Sequence, residues 1–106
     1  AAEYDNYHLA AYTNNGQLIG YLNLTPFEGR AIKMRQVAVE PHAQGLGTGR
    51  KLVEASEILA RKMGYQTMVL HARESAVAFY QKLDYKVVGE RFEEVSIPHF
   101  FMEKAL

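Results

Sequence analysis

The 106-residue chain has no cysteine, no tryptophan and only three prolines. Without cysteine it holds no disulfide, no thiolate metal ligand and no sulfur nucleophile that could carry an acyl group. That absence suits a reducing compartment, and a cytoplasmic location is the expectation. Neither sign of charge is in excess, because 12 Lys and Arg balance 12 Asp and Glu. A balanced chain gives no electrostatic reason to expect nucleic acid or an anionic membrane as partner. No apolar run approaches the ~20 residues that cross a bilayer. The first residues, Ala1-Ala2-Glu3-Tyr4-Asp5, are neither cationic nor apolar and do not read as a secretion signal. The four histidines are scattered without an H-x-x-x-H pair, so no metal site is expected. Repeats and low-complexity tracts are missing too, and the length suits one domain over residues 1–106.

What the chain does have is a glycine-rich turn, Gln44-Gly45-Leu46-Gly47-Thr48-Gly49-Arg50. It lies between the β-like run Val37-Ala38-Val39 and a long amphipathic segment. Such a turn bares backbone N–H groups at the positive end of a helix dipole, which suits a phosphate. The segment that follows reads as a helix from Gly47 or Thr48 to Met63, with Gly64 as its stop. Leu52, Ala55, Ser56, Leu59 and Met63 form its apolar stripe.

Before the turn, three β-like runs follow one another. Tyr7 to Thr13 and Gln17 to Leu24 flank Asn14-Asn15-Gly16, a strong hairpin signal. Pro26-Phe27-Glu28-Gly29 turns the chain into Ala31 to Val39. Here the alternation slips: Ile32 and Met34 share one face, Val37 and Val39 the other. Either a β-bulge sits at Gln36, or the strand is buried on both faces. After the long helix come a β run from Tyr65 to His71 and a helix from Glu74 to Leu83. Ala76, Phe79, Tyr80 and Leu83 lie on the inner face of that helix. Tyr85 to Gly89 and Pro98 to Lys104 are β-like again, separated by acidic Glu90 to Glu94. The expected order is βββ-α-β-α-β-β, an α/β (α+β) layout with a central sheet.

Three phosphate-binding patterns compete for the turn. The P-loop fails, since Arg50 stands five positions after Gly45 where that pattern needs Gly-Lys-Ser/Thr. The dinucleotide fingerprint loses its third glycine to Arg50 and should follow the first strand of a parallel unit. Gln/Arg-x-x-Gly-x-Gly/Ala is met by Gln44, Gly47 and Gly49.

With that pattern the chain resembles the GNAT superfamily of N-acetyltransferases. Val37-Ala38-Val39-Glu40-Pro41 precedes the turn as the family's strand and proline do. Ala76-Val77-Ala78-Phe79-Tyr80-Gln81-Lys82-Leu83-Asp84-Tyr85 is similar to its second signature, and Ile97-Pro98-His99 with Met102 to the closing strand of a bacterial subgroup. The resemblance covers roughly residues 7 to 106 and implies a mixed, mostly antiparallel sheet flanked by helices. It also implies acetyl-CoA as co-substrate, with the pyrophosphate on the backbone N–H groups of Gln44, Gly45, Leu46, Gly47, Thr48, Gly49 and Arg50. Val37, Ala38 and Val39 would pair with the pantetheine, and one N–H there would polarise the thioester carbonyl.

Tyr80 aligns with the tyrosine that protonates the departing thiolate, although a core aromatic at helical spacing is the plainer reading. For the base, Glu40 and His99 are the candidates; Glu40 also reads as a solvated strand-end carboxylate, and His99 as a residue that orients the closing strand. His42 and His71 read as a turn residue and a strand-end residue. Arg73 stands where the family often has Asn, which points it toward a phosphate; Ala76 falls on the cofactor side. Asp84 replaces the usual glycine and implies a left-handed cap. The family's leading strand and two helices have no counterpart before the first hairpin, so truncation, another chain or a minimal version would account for the front. The expected acceptor is a small-molecule or peptide amine, and the exposed edge at Tyr7 to Thr13 favours pairing into a homodimer. The acidic segment favours a cationic acceptor weakly. Two other functions fit the turn less fully: a non-catalytic CoA-binding or assembly module, and a nucleotide-binding protein of another fold.

Overall fold

In the computed structural model, which describes residues 6–106, seven strands form one sheet around two helices. Ala1 to Asp5, read above as no secretion signal, lie outside the described residues. The strands are β1 (Tyr7–Tyr12), β2 (Leu18–Pro26), β3 (Ala31–Val39), β4 (Thr67–Arg73), β5 (Lys86–Val87), β6 (Phe92–Glu94) and β7 (Ile97–Ala105). The helices are α1 (Thr48–Lys62) and α2 (Val77–Gln81). Spatial order is β1-β2-β3-β4-β7-β5, with β6 also on β7. Every pairing is antiparallel except β3 with β4.

Alternation along the strands builds the core. Leu22, Leu24, Ile32, Met34, Met68, Leu70, Ala72 and Met102 point to one face and are buried there with Leu52, Val53, Ala60, Tyr80 and Tyr85. Removing each large aliphatic side chain from water stabilises the fold by roughly 1.5–3 kcal/mol. The slip in β3 is a bulge. Tyr21 and Asn23 of β2 pair with Ala38 and Arg35, so three steps on β3 oppose two on β2. Gln36 absorbs the extra residue at φ 56. The bulge turns Val37 and Val39 back against the core after Ile32 and Met34 have already faced it.

Local differences from the sequence reading have physical causes. The buried positions of α1 are Leu52, Val53, Ser56, Glu57 and Ala60, whereas Ala55 is exposed and Leu59 and Met63 are half-buried. The stripe is rotated because Glu57 finds partners inside: the Tyr85 hydroxyl donates to its Oε2 at 2.8 Å and Lys104 Nζ to its Oε1 at 3.0 Å. The second helix is shorter than 74–83. A 3₁₀ turn, Glu74–Ala76, precedes α2, and Leu83 lies in the closing turn with its N–H on the Tyr80 carbonyl. Phe79 is not core but 38% exposed, packed beside Gly49 at the start of α1. The acidic segment is no mere separator, since β6 forms within it and turns tightly into β7 through Val95 and Ser96. Asp84 does adopt the left-handed conformation, at φ 74.

Candidate active site

The parallel ladder between β3 and β4 stops early. Its pairs run from Ala31 with Thr67 to Met34 with Leu70, while both strands continue, to Val39 and to Arg73. Beyond Met34 the bulge leads β3 along β2, and β4 stays with β7 through Arg73 and His99. The strands part, and a cleft of about 520 Å³ opens between them. Lys33, Arg35, Gln36 and Val37 line it from β3, and His71, Ala72 and Arg73 from β4. Ala76 and Tyr80 come from the helical side, and Glu94 and His99 from the β6–β7 hairpin.

Of the residues singled out by sequence, the cleft brings together Val37, Arg73, Ala76, Tyr80 and His99. Glu40 is not in its lining; it is exposed at the end of β3, where its N–H bonds the Ile19 carbonyl at 2.9 Å. Ala38 and Val39 pair with Tyr21 and Gly20 of β2. The loop from Gln44 to Gly47, together with Thr48 and Gly49 that open α1, is absent from the cleft lining, and Arg50 lines a separate groove with Phe79 and Lys82.

That loop has the conformation its glycines suggest. Gly45 and Gly47 stand at φ 82 and 84, the latter as the N-cap of α1, so their need is backbone freedom, a Cβ at either meeting nothing within 4 Å. The first intrahelical bond is Lys51 N–H to the Gly47 carbonyl at 3.0 Å, which leaves the N–H groups of Thr48, Gly49 and Arg50 ahead of it. The side-chain amide of Gln44 donates to the Val39 carbonyl at 3.0 Å and ties the loop to the strand.

Tyr80 is 7% exposed, and burial pushes its phenol up to about 12, so it is protonated at neutral pH. His99 is buried, and its Nδ1 lies 2.8 Å from the Ile97 carbonyl. A carbonyl only accepts, so Nδ1 carries the hydrogen and the lone pair of neutral His99 resides on Nε2. That Nε2 lies 3.7 Å from Glu94 Oε1, and the same oxygen lies 3.4 Å from Nδ1 of His71. Burial first, and Lys33 next, hold the His71 imidazole below its ordinary value despite Glu94. His71, Glu94, Lys33 and Arg35 are cleft residues that sequence reasoning missed. Only the β4–β7 pairing and the β6–β7 hairpin bring His71 and Glu94 beside His99.

Chains with this architecture are known. An acyl-CoA N-acyltransferase from Pseudomonas aeruginosa superposes with a TM-score of 0.82 at 28% identity, over 94% of this chain and 68% of that one. An aminoglycoside 6'-N-acetyltransferase solved with coenzyme A shares the fold with a TM-score of 0.86 at 20% identity, over 97% of this chain and 74% of that one. The acetyltransferase (GNAT) domain model matches residues 2–106, and the chain belongs to that family. The UPF0039 protein of Schizosaccharomyces pombe is 31% identical over 101 residues, which cover 93% of this chain and 67% of that protein. The chain therefore spans about two thirds of the length of such relatives.

Proposed function

We propose that the chain transfers an acetyl group from acetyl-CoA to an amine by direct attack, with both reactants held in the cleft. The observation that carries this reading is the parting of β3 from β4 beside a glycine-rich helix start. The N–H groups of Thr48, Gly49 and Arg50 suit a pyrophosphate, and membership of the GNAT family supports acyl-CoA as donor. The thioester arm then lies between the strands, where a backbone N–H near Val37 donates to the carbonyl oxygen as it gains charge.

The chemistry balances with the residues that line the cleft. Nε2 of His99 takes a proton from the ammonium of the acceptor, and Glu94 stabilises the imidazolium that forms. The amine nitrogen bonds the carbonyl carbon, the carbon–sulfur bond breaks, the leaving thiolate takes the Tyr80 hydroxyl proton, and the second proton that the nitrogen sheds as the amide forms returns through solvent to the Tyr80 phenolate. Orientation of two bound reactants supplies much of the rate, and no acyl-enzyme is required.

Titration calorimetry with acetyl-CoA, followed by thiol release over an amine panel, tests the proposal. Binding with release is the expected result. Binding without release for any amine would make the chain a CoA-binding module, and preference for ATP or NAD would overturn the reading altogether. His99→Gln should abolish most of the turnover while acetyl-CoA still binds.

A further inference from the structure

The cleft is electrically lopsided within a neutral chain. Lys33, Arg35 and Arg73 line it against one carboxylate, Glu94, and that carboxylate already faces two histidines. Among the described residues none of the three cations has a carboxylate within 4 Å.

Lys33 and Arg35 also share a direction. Ile32 and Met34, their neighbours on β3, are 0% and 2% exposed and point into the core beneath the helices. Alternation therefore sends Lys33 and Arg35 off the opposite face, about 7 Å apart along the strand. The glycine loop and α1 lie on the helix face, so a phosphate at the start of α1 would not neutralise this pair. Burial first, and the neighbouring Arg35 next, hold the Lys33 ammonium below its usual range despite Glu94. Opposite charge lies close by: Lys33 Nζ and Glu94 Oε1 are 3.5 and 3.4 Å from the same atom, Nδ1 of His71.

Resting on the acyltransferase reading above, we infer that the acceptor is a free α-amino acid, bound as its zwitterion with the carboxylate on Lys33 and Arg35 and the ammonium toward Glu94 and His99. The bound ammonium then gives its proton to His99 Nε2 before the nitrogen attacks, and the carboxylate stays charged throughout. A polyamine or aminoglycoside would bring a second cation against Lys33 and Arg35, and a peptide N-terminus would bring a neutral amide there.

The test compares each of leucine, phenylalanine, glutamate and lysine with its own α-amide, which keeps the amine and removes the charge. Thiol release is measured for the wild type, for Lys33→Ala and for the Lys33→Ala/Arg35→Ala double variant. At least one acid should exceed its amide tenfold or more in kcat/KM, and the double variant should erase that preference through KM while acetyl-CoA binding is unchanged. Amides equal to or better than acids throughout, or a preference untouched by the double variant, would overturn the inference. Calorimetry of the same four acids against the coenzyme A complex separates this claim from the one it rests on. Acids that bind the wild type and not the double variant, without thiol release, would uphold the binding site while defeating the transferase reading. No acid binding alongside turnover of simple amines would do the reverse.

Discussion

The two ends of β3 make opposite use of one strand. From Ile32 to Met34 it is paired on both sides, and its inward side chains are completely or nearly buried. From Arg35 to Val39 it keeps only β2 as a partner, bulges at Gln36 and borders a polar cleft. Strain follows the same division. Of the four non-glycine residues at positive φ among the described residues, Gln36 lines the cleft, and Val95 and Ser96 turn the hairpin that delivers Glu94 and His99. Regular pairing holds the molecule together at one end, and irregular backbone opens it to ligands at the other.

The sharpest way to break this contrast is at Tyr80. Tyr80→Phe keeps the ring and its packing, so stability should hardly change, while kcat should fall by about 10²–10⁴-fold, as loss of a general acid does. An unchanged kcat with intact acetyl-CoA binding would make Tyr80 a core residue only. At the paired end the signature inverts. Ile32→Ala empties a fully buried position and should cost about 2–5 kcal/mol in urea unfolding, with little effect on KM for acetyl-CoA where the protein remains folded. A smaller effect is expected at the hairpin. Val95 is β-branched, 87% exposed and at φ 52, so Val95→Asn should stabilise the chain by about 1 kcal/mol.

The least effect belongs to pH. Folding depresses the pKa of His71, so the unfolded chain binds the proton first as pH falls through the ordinary histidine value of 6.5. Stability is therefore complete above that value and declines below it, down to the folded pKa. His71→Gln should flatten this decline relative to the wild type in urea titrations between about pH 7 and 5. An identical slope in both proteins would show that His71 is not held neutral.

Much of this architecture could be read in the residues themselves. The phase change between Ile32–Met34 and Val37–Val39 offered a bulge as one of two readings, and the glycines marked the helix start, because both signals are local. The shorter second helix and the rotated stripe of α1 were harder, since tertiary partners decided them. Glu57 is inside only because Tyr85 and Lys104 meet it there. The acidic segment hid β6, because Val95-Ser96 has none of the Asn-Gly chemistry that announces a tight hairpin. With β6 unread, Glu94 remained a loop acid and His71 a strand-end residue, although the fold puts them 3.4 Å apart.

The carboxylate of Glu57 receives one hydroxyl and one ammonium, from the turn after α2 and from β7, while its own backbone belongs to α1. A single acid thus rivets three segments that are distant along the chain. Amide protons of α1 and β7 should consequently exchange with solvent in one concerted opening rather than by separate fraying, and a Glu57→Gln protein should let the two regions exchange independently.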